Sequence, residues 1–253
     1  YYNYKLTKGK NTMNNEKSDN ISILHHFLAY IISFLGLSLF VSLSSILLGL
    51  IPSISQLTEA SQMMVHYTVG YGLTAIALAA YLFNILLKDL FKQFKSLKNI
   101  GYGIIFGIAL VVITGFWGKI ASIICESLNL EYTPNHNQLL LNQGMAEQPV
   151  LTFFMSVIFA PFTEEIGYRF GIFGGIKKYS RVAAYIICGL IFGLIHFDFG
   201  AAGDQMLIEL INLPAYIAAG LLLCFYYDYS KSLSTSITAH AFNNLVSFIG
   251  GLI

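Results

Sequence analysis

Charge is what this sequence has least of. Asp, Glu, Lys and Arg together make up 11% of its 253 residues, less than half of the roughly 25% usual in a soluble domain. A water-facing surface needs far more, so an ordinary soluble globular fold is excluded. The net charge of +1 offers no basic field to attract nucleic acid, and no nucleic-acid partner is expected. Cysteine is also sparse. Cys125, Cys188 and Cys224 form no C-x-x-C pair, which removes thiol metal knuckles and redox motifs and leaves the three as small packing residues. H-E-x-x-H is missing, so a zincin-type helix is excluded. No G-x-S-x-G falls in an apolar stretch, which removes a serine nucleophile on a strained elbow.

What the chain has is apolar length. Hydrophobic residues account for 56% of it, and the mean hydropathy is +0.66. Seven apolar stretches stand out, at 21–51, 65–87, 100–124, 150–176, 182–197, 207–227 and 233–253. Most reach the roughly 20 residues needed to cross about 30 Å of hydrocarbon. A lipid-exposed backbone must satisfy its own hydrogen bonds, so each is expected to be a helix. The fold class expected is therefore all-α: a polytopic transmembrane bundle of about seven spans. Residues 1–20 form a polar cytoplasmic segment and residues 21–253 a single transmembrane domain. Lysines and arginines cluster before the first stretch and after the second, fourth and sixth, while the alternate connectors contain none. That asymmetry predicts a cytoplasmic N-terminus and an external C-terminus. Gly103/Gly107, Gly167/Gly171 and Gly189/Gly193 each sit four apart, a spacing that lets helix backbones approach closely.

The few ionisable residues inside the spans need a reason, because each is costly in hydrocarbon. The fourth stretch contains Glu164-Glu165-x-x-x-Arg169, the fifth Phe192-x-x-x-His196 and the seventh His240-x-x-x-Asn244. Glu165 and Arg169 stack at i and i+4, which predicts an ion pair. Glu164 lies about 100° round the helix and is left without a local partner. Measured from the basic connectors, Glu164, His196, His240 and Asn244 all lie roughly 14 to 22 Å along their helices. Three helices thus deliver polar groups to one layer of the bilayer. Pro161, three residues before Glu164, predicts a kink.

Taken together, the three motifs resemble the CAAX protease and bacteriocin-processing family of intramembrane proteases, which includes the Rce1-type prenyl endopeptidases. The resemblance covers about residues 150–250, in the family's motif order. It implies a glutamate-dependent endopeptidase in which Glu164 takes a proton from water and His196 helps to hold that water. His240 and Asn244 would stabilise the oxyanion, and Glu165 and Arg169 would position the site. General chemistry agrees: amide hydrolysis needs a base beside the water and donors aimed at the developing charge. No cofactor is favoured. Zinc is the competitor, with Glu164, His196 and His240 as three ligands and a fourth position for water. Two other functions fit intramembrane carboxylates: a proton- or ion-coupled transporter, and a non-catalytic immunity or binding protein. The expected partners are membrane lipids and a peptide or membrane-protein substrate. By analogy with bacterial relatives, the expected setting is the bacterial plasma membrane, in peptide maturation or bacteriocin immunity.

Overall fold

The computed structural model of the chain describes residues 21–252, and the polar segment at 1–20 lies outside them. Among the described residues there is no strand. Seven main helices follow the seven apolar stretches. They are α1 (Ile23–Gly49), α2 (Glu59–Phe94), α3 (Leu97–Ser127), α5 (Pro149–Lys177), α6 (Arg181–Leu194), α7 (Asp204–Ser230) and α8 (Leu233–Gly250). An eighth, α4 (His136–Glu147), occupies the connector that hydropathy left blank. Five of them (α1, α2, α3, α5 and α7) are long and apolar enough to cross a membrane. α6 is too short for that criterion, and α8 carries Ser, Thr, His and Asn along its length.

α5 is the axle of the bundle. In its most apolar window 61% of the residues are buried, against 11% for α1 and 17% for α3. α1 runs along α2 and α5, α3 along α7 and α8, and α6 along α7. The outer helices turn Leu, Ile and Phe side chains outward, as expected where lipid rather than water is the solvent. Two buried clusters surround α5. One joins Tyr168, Ile172 and Phe173 to α6 and α7; the other joins Ile166 and Phe170 to α2 and α8.

Two stretches of α5, Phe154–Phe159 and Glu165–Phe173, are wound as wider π-helix. Pro161 lies two residues beyond the first. Proline has no N–H to donate, and its ring crowds the carbonyl of the preceding turn. Widening that turn accommodates both, and such bulges are common at functional sites.

Small residues let the helices close up. Gly193 on α6 faces the backbone of Ile217 on α7, where an added Cβ would lie 3.2 Å from its nitrogen and 3.3 Å from its Cα. Gly189 meets Leu221, and Gly220 comes within 3.1 Å of the Gly189 backbone by the same measure. The Gly189/Gly193 spacing therefore marks a true close crossing. Gly193→Ala is expected to destabilise the bundle by about 1–3 kcal/mol through overpacking. Thermal unfolding in detergent measures it; an unchanged melting temperature would mean that the crossing relaxes freely.

At one end, Asp228 ties four segments together. Its side chain is fully buried and accepts from Arg181 Nε at 2.7 Å, Lys231 Nζ at 2.7 Å, Lys177 Nζ and the Tyr185 hydroxyl at 3.2 Å. The basic connectors after α5 and after α7 are thereby fastened to one carboxylate. The three cysteines are all buried and free, in keeping with packing roles. His26, near the start of α1, is only 4% exposed. Its Nδ1 bonds the Phe170 carbonyl at 2.6 Å, and its ring packs against Gly174 and Gly175 of α5. Glycine at those two positions makes room for an imidazole in the core.

Candidate active site

The polar residues of α5, α6 and α8 meet on one cavity of about 460 Å³, within the range of roughly 300–1,000 Å³ typical of small-ligand sites. Glu164, His196, His240 and Asn244 all line it. Glu165 and Arg169 do not; they stand behind the wall with no solvent exposure.

Glu164 sits where α5 passes from α-helical to π-helical winding. Its Oε1 accepts from the Tyr71 hydroxyl at 3.0 Å. Its Oε2 is buried and has no hydrogen-bond partner among the described residues, and it lies 4.0 Å from His240 Nε2. That gap is too long for a direct hydrogen bond.

Glu165 accepts from His240 Nδ1 at 2.9 Å and pairs with Arg169 Nε at 3.1 Å. The Arg169 contact is a charge pair rather than an aligned hydrogen bond, since neither atom finds a well-directed partner. The guanidinium is held further by the Phe192 ring, 4.4 Å from its centre, and by the Gly220 carbonyl at 3.4 Å. Phe192 also meets the His240 ring edge-on, with centroids 5.9 Å apart. Glu165 thus fixes the Nδ1 side of His240, leaving Nε2 as the atom nearest Glu164.

His196 does not extend α6 as expected. The helix ends at Leu194 and the histidine lies in the following turn. Its Nδ1–H donates to the Phe192 carbonyl at 2.8 Å, which leaves Nε2 as the free nitrogen. The ring stacks on Tyr216 of α7, with centroids 4.7 Å apart and planes 16° from parallel. Asn135 secures the turn from the other side. It donates to the His196 carbonyl at 3.1 Å, accepts from Tyr216 at 2.9 Å, and caps α4 through Gln138 N. Asn244 donates to the Ser156 carbonyl at 2.9 Å and accepts from Asn243 at 3.2 Å.

Sequence reasoning missed several residues here. Tyr71 reads as ordinary apolar content of α2. Asn243, off the i,i+4 face shared by His240 and Asn244, lines the same cavity. Glu209, near the start of α7, is only 1% exposed. Its carboxylate accepts from His136 N at 2.7 Å and Asp198 N at 3.3 Å, so it ties the start of α4 to the His196 turn. Asn135 gave one usable signal, an N-cap residue ahead of helix formers. Among the described residues no three His, Cys, Asp or Glu side chains converge tightly enough to hold a metal ion. The donor set Glu164, His196 and His240 is thus not assembled as a zinc cage in this geometry.

Residues 146–246 match the family model for Rce1-like proteins, described as type II CAAX prenyl endopeptidase Rce1-like. All three motifs fall inside the match, and residues 1–145 fall outside it. No curated protein and no solved structure matches the chain significantly. Five apolar helices of spanning length, with this match, make the chain an integral membrane protein.

Proposed function

Because residues 146–246 carry an Rce1-like domain, the signature of CAAX-type intramembrane proteases, we propose that the chain hydrolyses a peptide bond with a water activated by Glu164. The observation that carries this reading is the 4.0 Å gap between Glu164 Oε2 and His240 Nε2 on the cavity wall. Across it Glu164 Oε2 faces His240 without a hydrogen-bond partner among the described residues, while the other carboxylate oxygen is fixed by Tyr71.

In this scheme Glu164 takes a proton from the water as the oxygen attacks the scissile carbonyl. The oxyanion that forms is met by an amide N–H of Asn244, beside the His240 imidazole that Glu165 holds. The amide of Asn244 has two N–H groups, and Ser156 occupies one of them. Glu164 then passes its proton to the departing nitrogen as the carbonyl re-forms, so acid and base roles fall to one group. His196 contributes a free Nε2 on the same cavity and helps to hold the water. Glu165 and Arg169 hold His240 in place. The chemistry is written without a metal, in line with the missing zincin motif.

The test is purified protein in detergent against a panel of fluorogenic peptides, before and after treatment with a strong zinc chelator. Cleavage at an unchanged rate after chelation is expected. Activity lost to the chelator and restored by zinc would replace this mechanism with a metal-bound one. No cleavage of any peptide in a broad panel would remove the enzyme reading.

A further inference from the structure

α1 and α2 cross closely at Gly70, where an added Cβ would lie 3.0 Å from the backbone nitrogen of Val41. Toward the start of α2 the two helices leave a second cavity, of about 300 Å³. Met63 and Tyr67 line both cavities, but Glu59, Gln62 and His66 line this one alone. These three polar residues stand at i, i+3 and i+7, within about 60° of one another round α2. Each has an acceptor to spare. Glu59 is the exposed first residue of α2, and its carboxylate has no ion-pair partner among the described residues. The Gln62 amide donates to the Ser55 and Leu57 carbonyls at 3.3 and 2.8 Å, which leaves its oxygen free. His66 is only 8% exposed, and its Nδ1 lies 3.2 Å from Ser44 Oγ. With the Nδ1 proton donated to that hydroxyl, the ring is neutral and Nε2 keeps its lone pair.

Chemistry selects the ligand. Among the described residues lining this cavity Glu59 is the one Asp or Glu, and none is Lys or Arg, so an anion is repelled. A calcium ion takes six to eight oxygens, several of them from carboxylates, and one carboxylate with one amide falls short. A primary ammonium group brings one positive charge and three N–H donors, which matches one negative charge and three acceptors. The connectors at this end, 50–64 and 128–149, contain Glu59, Glu131 and Glu147 and no Lys or Arg, so the wider field also favours a cation. Position selects the source. Ile46 and Leu47 on α1 are exposed, as lipid-facing residues are. Glu59 begins α2 and His66 lies roughly 10 Å deeper along it, the zone in which headgroups give way to hydrocarbon. We propose that this cavity binds the ammonium headgroup of an ethanolamine phospholipid. Glu59, Gln62 and His66 accept its N–H groups, and Val41, Met63 and Tyr67 pack on the methylenes that carry it. This rests on the α1–α2 cavity and is independent of the peptidase reading.

The test is lipid competition on the full chain in detergent. Dioleoyl phosphatidylethanolamine and dioleoyl phosphatidylcholine, one of them deuterated, are added in equal amounts, and retained lipid is counted by native mass spectrometry. The two share phosphate and chains, but the choline nitrogen has no N–H to donate. The ethanolamine lipid is expected to be retained at least about tenfold over the choline lipid. Glu59→Gln removes only an exposed charge, so the variant should melt as the wild type does while the preference falls to within about twofold. Glu126→Gln, which removes another exposed carboxylate near this end, at the close of α3, should keep the preference. Free ethanolamine should compete only at roughly a hundredfold excess or more, because it lacks the chains that hold a lipid beside the helices. Equal retention of the two lipids, a preference untouched by Glu59→Gln, or one lost equally in Glu126→Gln would overturn the proposal. Displacement by free ethanolamine at matched concentration would also overturn it, by assigning the cavity to soluble amines.

Discussion

Glu164→Gln is expected to lower kcat for peptide cleavage by about 10²–10⁴-fold, the usual contribution of a positioned general base, with KM nearly unchanged. The substitution keeps the shape of the side chain and its hydrogen bond from Tyr71, so folding should be intact. What it removes is the proton-accepting oxygen that faces His240 across 4.0 Å. The measurement is steady-state hydrolysis beside thermal unfolding of the same preparation. Loss of kcat with an unshifted melting temperature supports the assigned role. A variant that cleaves at the wild-type rate would show that Glu164 is not the base.

Arg169→Ala carries the largest expected cost in stability, about 3–5 kcal/mol, because it leaves a buried carboxylate without its partner. Both members of the Glu165–Arg169 pair have no solvent exposure, so water cannot take over. The double replacement Glu165→Gln with Arg169→Met should recover much of that loss, since two neutral groups of similar bulk leave no stranded charge. Chemical unfolding in detergent reads all three proteins. A single-variant loss below about 1 kcal/mol, the level of an exposed pair, would show that the pair is not structurally important. The double variant should nevertheless be slow, because His240 Nδ1 loses the carboxylate that orients its ring.

The bundle was legible because hydropathy and lipid allow few alternatives. A long apolar run in a chain this poor in charge has to be helical, and the starts and ends of α3, α5 and α7 fall within a few residues of the apolar limits. The Glu165–Arg169 pair was legible because i,i+4 spacing places both on one helical face. The gathering of Glu164, His196, His240 and Asn244 was signalled only indirectly, by similar distances from basic connectors. Other features leave no such trace. α4 is nearly neutral in hydropathy, so its helix emerges from capping at Asn135 and from contacts with its neighbours. α6 stops at Leu194, and the turn after it is held by the Asn135 bond to the His196 carbonyl and by the stacking of His196 on Tyr216, neither of which local sequence announces. Tyr71 hides because a phenol in a span looks apolar until a carboxylate comes within reach. Glu209 and His26 show the converse: a polar residue near a span end is read as wet, yet long-range backbone contacts bury both.

The Asp228 knot sets how the cavity can widen. It fastens the α5–α6 hairpin and the α7–α8 hairpin at one end, while the cavity occupies space between these helices farther along. Two arms pinned at a common base move like tongs, with little travel at the grip and most at the tips. The first carboxylate and the α8 imidazole, which ride on different arms, are thus kept from sliding past one another along the membrane normal.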